Sequence, residues 1–296
     1  MSLLDTVRFI LDHPLNSGNR LGSLWRFASW QIGARLVPGP VAVDFVEGTR
    51  LLVSRGQAGA TGNIYTGLHE LSEMAFVLHM LREGDLFVDV GANVGSYTVL
   101  AAGVTGANVV AFEPGAAAYR SLLDNVRLND LGALVESRNE AAGDKVGEVQ
   151  FTQNADTVNH VVALASDDAP AVNVPMNTLD NALAGRVPVM MKIDVEGFES
   201  SVIAGAAATL AGERLQAVVM ETNGSGAGYG ASDDELHAGM IRAGFTPCRY
   251  EPFTRKVEPI ESYSSSGNTI YVRDVAFASA RVAGARKLSI AGHGYL

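Results

Sequence analysis

The segment Asp89-Val-Gly91-Ala-Asn93-Val-Gly95 constrains this chain more than any other. It follows an apolar run, Leu86 to Val90, and precedes a run, Ser96 to Val104, with the character of a helix. Gly91 and Gly95 remove side chains where the backbone must turn sharply and a ligand must come close. Strand, glycine turn and helix in that order make the first unit of a doubly wound α/β sheet, whose ligands lie beyond the carboxyl ends of the strands. The spacing here is Gly-x-x-x-Gly. A dinucleotide site calls for G-x-G-x-x-G with a helix start against a pyrophosphate, so the missing middle glycine favours an adenosine ligand without phosphates. Taken alone, the motif also fits an ordinary glycine turn.

Glu113 ends the next apolar run, Asn108 to Phe112, and lies 24 residues after Asp89. An acid at the end of the second strand can accept hydrogen bonds from both ribose hydroxyls of an adenosine. Such bonds are worth roughly 1.5–3 kcal/mol each. The run Val189 to Ile193 closes in Lys192-Ile-Asp194-Val-Glu196-Gly197-Phe-Glu199, at the border of the same crevice. Its three acids can hold a substrate hydroxyl, a metal ion or a cofactor amino group, and a structural pairing with Lys192 is the other reading. After the fifth run, Leu215 to Met220, comes Glu221-Thr-Asn223-Gly. Asp194, Glu221 and Asn223 would together offer oxygen ligands to magnesium.

The rest of the chain fits a mainly parallel, seven-stranded sheet covered on both faces, because continuous apolar strands alternate with amphipathic helices. Residues 1–60 form an N-terminal extension of two helical stretches and a hairpin about Glu47-Gly48, residues 61–275 the main domain and residues 276–296 a tail. Gly56 to Gly67, rich in Gly and Ala, has the composition of a loop. The periodicity predicts a helix over His69 to Arg82, with Gly84 as its terminal glycine. Ser232-x-x-Glu235 predicts the start of another, which should end at Gly244. Glu148 to Pro175 is an irregular insert carrying His160, and Ser262 to Ser266 is a short serine-rich stretch. Leu21 to Val37 carries Arg26 and Arg35 among Trp25, Phe27 and Trp30, and suits a helix buried on the main domain better than a membrane or partner contact.

Composition narrows the function. A formal net charge of −10 denies the chain the general attraction to phosphate backbones that nucleic-acid binders use. The single cysteine, Cys248, cannot form a disulfide within the chain and fits a reducing, cytoplasmic setting. No stretch approaches the roughly 18 uncharged apolar residues of a membrane span, and Asp5 and Asp12 interrupt the apolar start, unlike a secretory signal.

At these residues the chain resembles the FkbM family of methyltransferases. Leu86 to Thr98 is similar to that family's cofactor motif, Ala111-Phe-Glu-Pro114 to its second motif and Lys192 to Glu199 to its fourth-strand motif. Asn63-Ile-Tyr-x-Gly67-x-His-Glu70 resembles the segment before the core, and Arg138-Asn-Glu-Ala141 the stretch where adenine is bound. The resemblance spans about residues 45–275. It implies a class I, Rossmann-like methyltransferase using S-adenosylmethionine, usually on a hydroxyl of a sugar, glycan or secondary metabolite. It puts Asp89, Gly91, Asn93, Gly95, Glu113, Asn139 and Asp194 around the cofactor. A magnesium ion is compatible with the acids but is not required.

An aliphatic hydroxyl is a poor acid, comparable to water at about 15.7, so its proton needs a base or a metal. Asp194 and Glu196 are the candidates, with His160 a third. Three other readings compete. A nicotinamide oxidoreductase is opposed by the glycine spacing. A nucleic-acid methyltransferase is opposed by the acidity and by the lack of an Asn/Asp-Pro-Pro-Tyr/Phe motif after the fourth strand. A non-catalytic adenosylmethionine-binding module would be separated from an enzyme by activity on hydroxylated acceptors. Oligomeric state is not legible in the sequence.

Overall fold

The computed structural model describes residues 3–152, 160–162, 170–265 and 267–296. Parts of the insert, 153–159 and 163–169, and Ser266 of the serine-rich stretch lie outside the described residues. In chain order the helices are α1 (Leu3–Asp12), α2 (Arg20–Leu36), α3 (Ala58–Thr66), α4 (Leu71–Met80), α5 (Ser96–Val99), α6 (Ala116–Leu128), α7 (Leu179–Leu183), α8 (Glu199–Ala204), α9 (Ala207–Ala211), α10 (Asp233–Arg242) and α11 (Val275–Ala283). A π-helical turn, Leu100–Val104, extends α5.

The strands of the main sheet are β3 (Leu86–Val90), β4 (Asn108–Phe112), β5 (Val135–Arg138), β9 (Met190–Ile193), β10 (Ala217–Thr222), β11 (Thr246–Glu251), β12 (Lys256–Pro259) and β13 (Gly267–Val272). Outside it lie the hairpin β1 (Val41–Asp44) and β2 (Arg50–Val53), a small sheet of β6 (Ala141–Ala142), β7 (Gly147–Thr152) and β8 (Ala171–Asn177), and a C-terminal pair, β14 (Ser289–Ile290) and β15 (Gly294–Tyr295).

The main sheet runs β12-β11-β13-β10-β9-β3-β4-β5. The five strands from β10 to β5 are parallel, whereas β13, β11 and β12 join antiparallel. Alternate residues feed two separate cores. Phe87, Val109, Met190 and Val219 face one, and Val88, Val110, Met191 and Val218 the other. This explains why the strands read as continuous apolar runs: both faces are covered. The first core also takes in Ile10, Leu15 and Trp30, so the N-terminal helices pack into the same apolar mass as the sheet.

Four expectations are corrected. The sheet has eight strands rather than seven, because Lys256–Pro259 adds an edge strand. Its sequence, with only Val257 buried and with Glu258 taking ion pairs from Arg249 and Lys256, lacks the apolar run that marks an inner strand. Ala58–Thr66 is a helix rather than a loop. Tertiary packing overrides its weak propensity: Ala60, Asn63 and Tyr65 are buried, and Gly62 lies so close to His69 that a Cβ there would sit 2.4 Å from the ring. Gly84 does not cap α4, which closes at Leu81; Gly84 has a φ of +80° in the turn before β3. The insert is more regular than its sequence, since β7 and β8 pair antiparallel from Gly147 with Met176 to Thr152 with Ala171.

The C-terminal residues are also structured. Helix α11 joins its Arg281 to Asp85 in an ion pair, and Ile290 bridges to Val46 beside the β1–β2 hairpin.

Candidate active site

Strand register builds the site. Val90, Phe112, Ile193 and Met220 lie side by side across β4, β3, β9 and β10. The next residue of each strand therefore emerges at one edge: Gly91, Glu113, Asp194 and Glu221. They line a cleft of about 320 Å³, closed on its other sides by residues of α3, by Glu70 and Tyr97, and by Phe151, Val161 and Phe198. That volume is within the range of small-molecule sites.

The glycine turn is held closely. Gly91 has a φ of +78°, and a Cβ on it would lie 1.8 Å from the Asp194 carbonyl oxygen. Its N–H donates to the Phe112 carbonyl at 3.0 Å. Asn93 also adopts a positive φ, +51°, which turns its N–H onto Glu113 Oε2 at 2.8 Å. Gly115 N–H donates to Oε1 of the same carboxylate at 2.7 Å. Each oxygen thus accepts one backbone bond and keeps a lone pair for a ligand. Burial pushes the Glu113 pKa up to about 7 against the pull of those two N–H groups, with Asp89 and Asp194 adding repulsion. Gly95 caps α5 in the left-handed region, against Leu122.

Two predicted cofactor contacts sit elsewhere. Asp89 is buried under the turn rather than at the cleft, where its Oδ2 accepts from Thr98 Oγ1 at 2.6 Å. Burial raises its pKa, and Lys192, its register neighbour on β9, opposes the rise. Asn139 is exposed outside the cleft lining, and its amide donates to the Glu113 and Pro114 carbonyls at 2.8 and 3.1 Å. It braces the second motif from behind.

The acids after β9 divide by role. Glu199 is buried, and its Oε1 accepts from Val195 N–H at 3.0 Å and Gly197 N–H at 3.3 Å, so it ties the turn together. Asp194 Oδ2 accepts from Lys192 Nζ at 2.6 Å. Lys192 is buried, 4.7 Å above the Tyr97 ring; burial works against its charge, but Asp194, Glu70 and Asp89 outweigh it and hold its pKa above the ordinary lysine range. Glu196, half-buried at a φ of +54°, has its pKa pushed up to about 7 by burial, then by Asp194 and Glu199. Burial and the negative charges of Asp194, Glu196 and Glu199 lift the Glu221 pKa well above the usual carboxylate range.

Asp194, Glu196 and Glu221 offer oxygens within 4.8 Å of one another, a spacing that a divalent cation can bridge. Asn223, expected beside them, instead accepts from Ser225 N–H at 2.9 Å. His160 N–H donates to Thr152 Oγ1 at 2.9 Å, and the imidazole is near enough to Glu196 to lower its pKa.

Glu70 and Tyr97 also line the cleft, which spacing alone does not show. Tyr97 Oη donates to Glu70 Oε2 at 2.7 Å, and Asn268 Nδ2 donates to Oε1 at 2.7 Å. Glu70 thus joins α4 and β13 at the mouth of the cleft. The only sequence signal for it is its place at the end of the Asn63-to-Glu70 motif.

These ionisations set the pH response of the ligand-free protein. Glu73, Glu113 and Glu196 hold protons to about 7, and Glu221 higher still. Unfolded carboxyls release theirs near 4.5, so these groups make stability fall as pH rises from about 4.5 through 7 and beyond. Buried His13 and His79, lowered to about 4, and His293, lowered to about 3, act oppositely between there and 6.5. The two sets offset each other up to about 6.5; above it only the carboxyl effect remains. Melting temperature at constant ionic strength should therefore drop by several degrees from about pH 6.5 to 8.5. A rise across that interval would show that the carboxyls ionise normally.

A sequence profile of the methyltransferase FkbM domain matches residues 89–247. No curated protein matches the chain. Among solved structures, the methyltransferase FkbM of Methylobacillus flagellatus is 14% identical over 83% of this chain, with a TM-score of 0.43. The match spans only 58% of that longer protein. The precorrin-6y C5,15-methyltransferase of Geobacter metallireducens is 12% identical over 69% of this chain and 88% of its own, with a TM-score of 0.39. A precorrin 8w decarboxylase of Methanobacterium thermoautotrophicum is 14% identical over 69% and 90%, with a TM-score of 0.41.

Proposed function

The chain belongs to the FkbM methyltransferase family, and from that premise we propose that it transfers the methyl group of S-adenosylmethionine to an aliphatic hydroxyl of a sugar, glycan or secondary metabolite. The observation that carries this reading is the row of Gly91, Glu113, Asp194 and Glu221 at one sheet edge.

The residues fit the cofactor. Glu113 keeps a lone pair on each oxygen and suits the two ribose hydroxyls. The backbone from Gly91 to Asn93 comes close because no side chain intervenes at Gly91. The cleft is lined by Glu70, Glu113, Asp194, Glu196 and Glu221 against one lysine, which suits a ligand bearing a sulfonium and an ammonium and disfavours a pyrophosphate. When bound, the cofactor supplies a methyl group already activated for transfer.

What remains for the protein is to align the acceptor oxygen, exclude water and take its proton. Phe151, Val161 and Phe198 supply the apolar wall that excludes water. Lys192 fixes the Asp194 carboxylate. Glu196 takes the acceptor's proton at its carboxylate, since a base with a pKa near the working pH is the most effective. His160, close enough to Glu196 to act on its charge, is the alternative proton acceptor. A divalent cation at Asp194, Glu196 and Glu221 is the second reading, supported by their mutual spacing.

Calorimetry tests the cofactor assignment. S-adenosylmethionine and its demethylated product should bind and NAD should not. Glu113→Ala should weaken binding by roughly tenfold or more, from the loss of charge-assisted hydrogen bonds. Tight NAD binding, or a dissociation constant unmoved by Glu113→Ala, would refute it. Labelled cofactor with a panel of hydroxylated acceptors then identifies the product.

A further inference from the structure

Helix α2 is apolar on two faces. Its inner face buries Trp30 and packs Leu24 and Phe27 on the core. Its outer face exposes Leu21, Trp25, Ile32 and Leu36, which are 82, 73, 62 and 75% accessible. At 3.6 residues per turn these four fall within an arc of roughly 60°. They form a continuous ridge, and exposed apolar area so concentrated marks an interaction surface.

Charge identifies what covers it. Helix α2 carries Arg20, Arg26 and Arg35 and no acid, in a chain whose net charge is −10. Arg35 is exposed on one flank of the ridge and Arg20 is exposed as the first residue of the helix, whereas Arg26 is turned inward onto Ser23 Oγ at 2.8 Å. Two copies of the face brought together would oppose arginine to arginine. An apolar ridge with a Trp, with one arginine beside it and another at the start of the helix, matches the interfacial region of an anionic bilayer, with side chains among the acyl ends and guanidinium groups at the phosphates. Among the described residues no helix is long and apolar enough to cross a membrane, so the contact is one of lying on the surface.

We propose that the outer face of α2 docks this protein on an anionic lipid surface. The opposite, inner face of α2 borders a groove of about 590 Å³ between α1, α2 and α3, lined by Phe9, Phe27 and Trp30, so the ridge itself faces away from the body of the fold. This inference rests on the surface and not on the cofactor assignment.

The chain has two tryptophans, of which Trp30 is buried and Trp25 exposed, so a blue shift of emission on adding lipid reports Trp25. Vesicles of phosphatidylglycerol and phosphatidylcholine should shift the emission and carry the protein in flotation at low salt, and about 1 M salt should release most of it. Pure phosphatidylcholine should do much less. Ile32→Ser, at an exposed position that leaves the fold intact, should weaken partitioning roughly tenfold, and Arg20→Glu with Arg35→Glu should weaken it further. Unchanged emission with anionic vesicles overturns the proposal, as does equal binding to neutral ones. A blue shift without lipid that grows with protein concentration, together with a doubled mass in sedimentation, would assign the ridge to a second copy instead.

Discussion

Lys192→Met should destabilise the protein by about 3–5 kcal/mol, the range for removing one partner of a buried ion pair. Methionine fills nearly the same volume, so the loss is electrostatic. The lysine is 3% exposed, bound to Asp194 at 2.6 Å, and Asp89 and Glu70 also act on its charge. Without it, the carboxylates at the strand ends face one another with no cation. A domain of this kind has about 5–15 kcal/mol in total, so the melting temperature should fall on the order of 10 °C at pH 8.

The pH dependence separates this cause from a packing defect. Lys192 holds the Asp89 pKa down against burial, so in the variant the neighbouring carboxyls retain protons to higher pH. Groups with raised folded pKa values destabilise less as pH falls, and the deficit should therefore shrink between about pH 8 and pH 5. A packing defect would be constant over that interval. If Lys192→Met melts with the parent at pH 8, the cation is not what permits the acids to gather.

The same cluster shows how much of the site is legible in sequence. Asp89 and Lys192 are 103 positions apart in the chain yet become partners because β3 and β9 are parallel and adjacent in register. The apolar runs give away the strands, and each run is followed by a residue that lines the cleft, Gly91, Glu113, Asp194 or Glu221. Where a cleft is built from strand ends, one dimension is enough to find its lining.

Other features depend on contacts that no local pattern records. Glu70 is held by Tyr97 and Asn268, and the second of these lies 198 residues away. Asp89 has the look of a ligand contact because it precedes the glycine turn, but strand alternation points it into the layer beneath, toward Thr98. Helix α3 has the composition of a loop because Gly and Ala dominate it, and only packing against His69 and the core makes it a helix. Trp25 and Trp30 look equivalent in sequence. Their five-residue spacing is not one of the separations that share a helix face, and one is buried while the other is exposed.

Glu196→Gln should lower methyl transfer by about 10²- to 10⁴-fold, the usual contribution of a general base, while the cofactor's dissociation constant stays within about twofold. The amide keeps the shape of the side chain and cannot take a proton. Parental activity should fall as pH drops below about 7, because Glu196 is then protonated; the variant's residual rate should be flat through that window. Asp194→Asn offers a contrast. It removes the partner of Lys192 and should lower both activity and melting temperature, whereas Glu196→Gln leaves the Lys192–Asp194 pair intact and should keep the melting temperature nearer the parent's. Chelator distinguishes the remaining role: activity that persists in excess chelator assigns Glu196 to proton transfer, and activity that vanishes and returns with magnesium assigns the three acids to a metal. Should Glu196→Gln transfer methyl groups at the parental rate with a parental pH profile, the base is another group at the same edge. Glu221 would then be the first to replace, because its raised pKa gives it the stronger proton affinity of the two, and His160 the second.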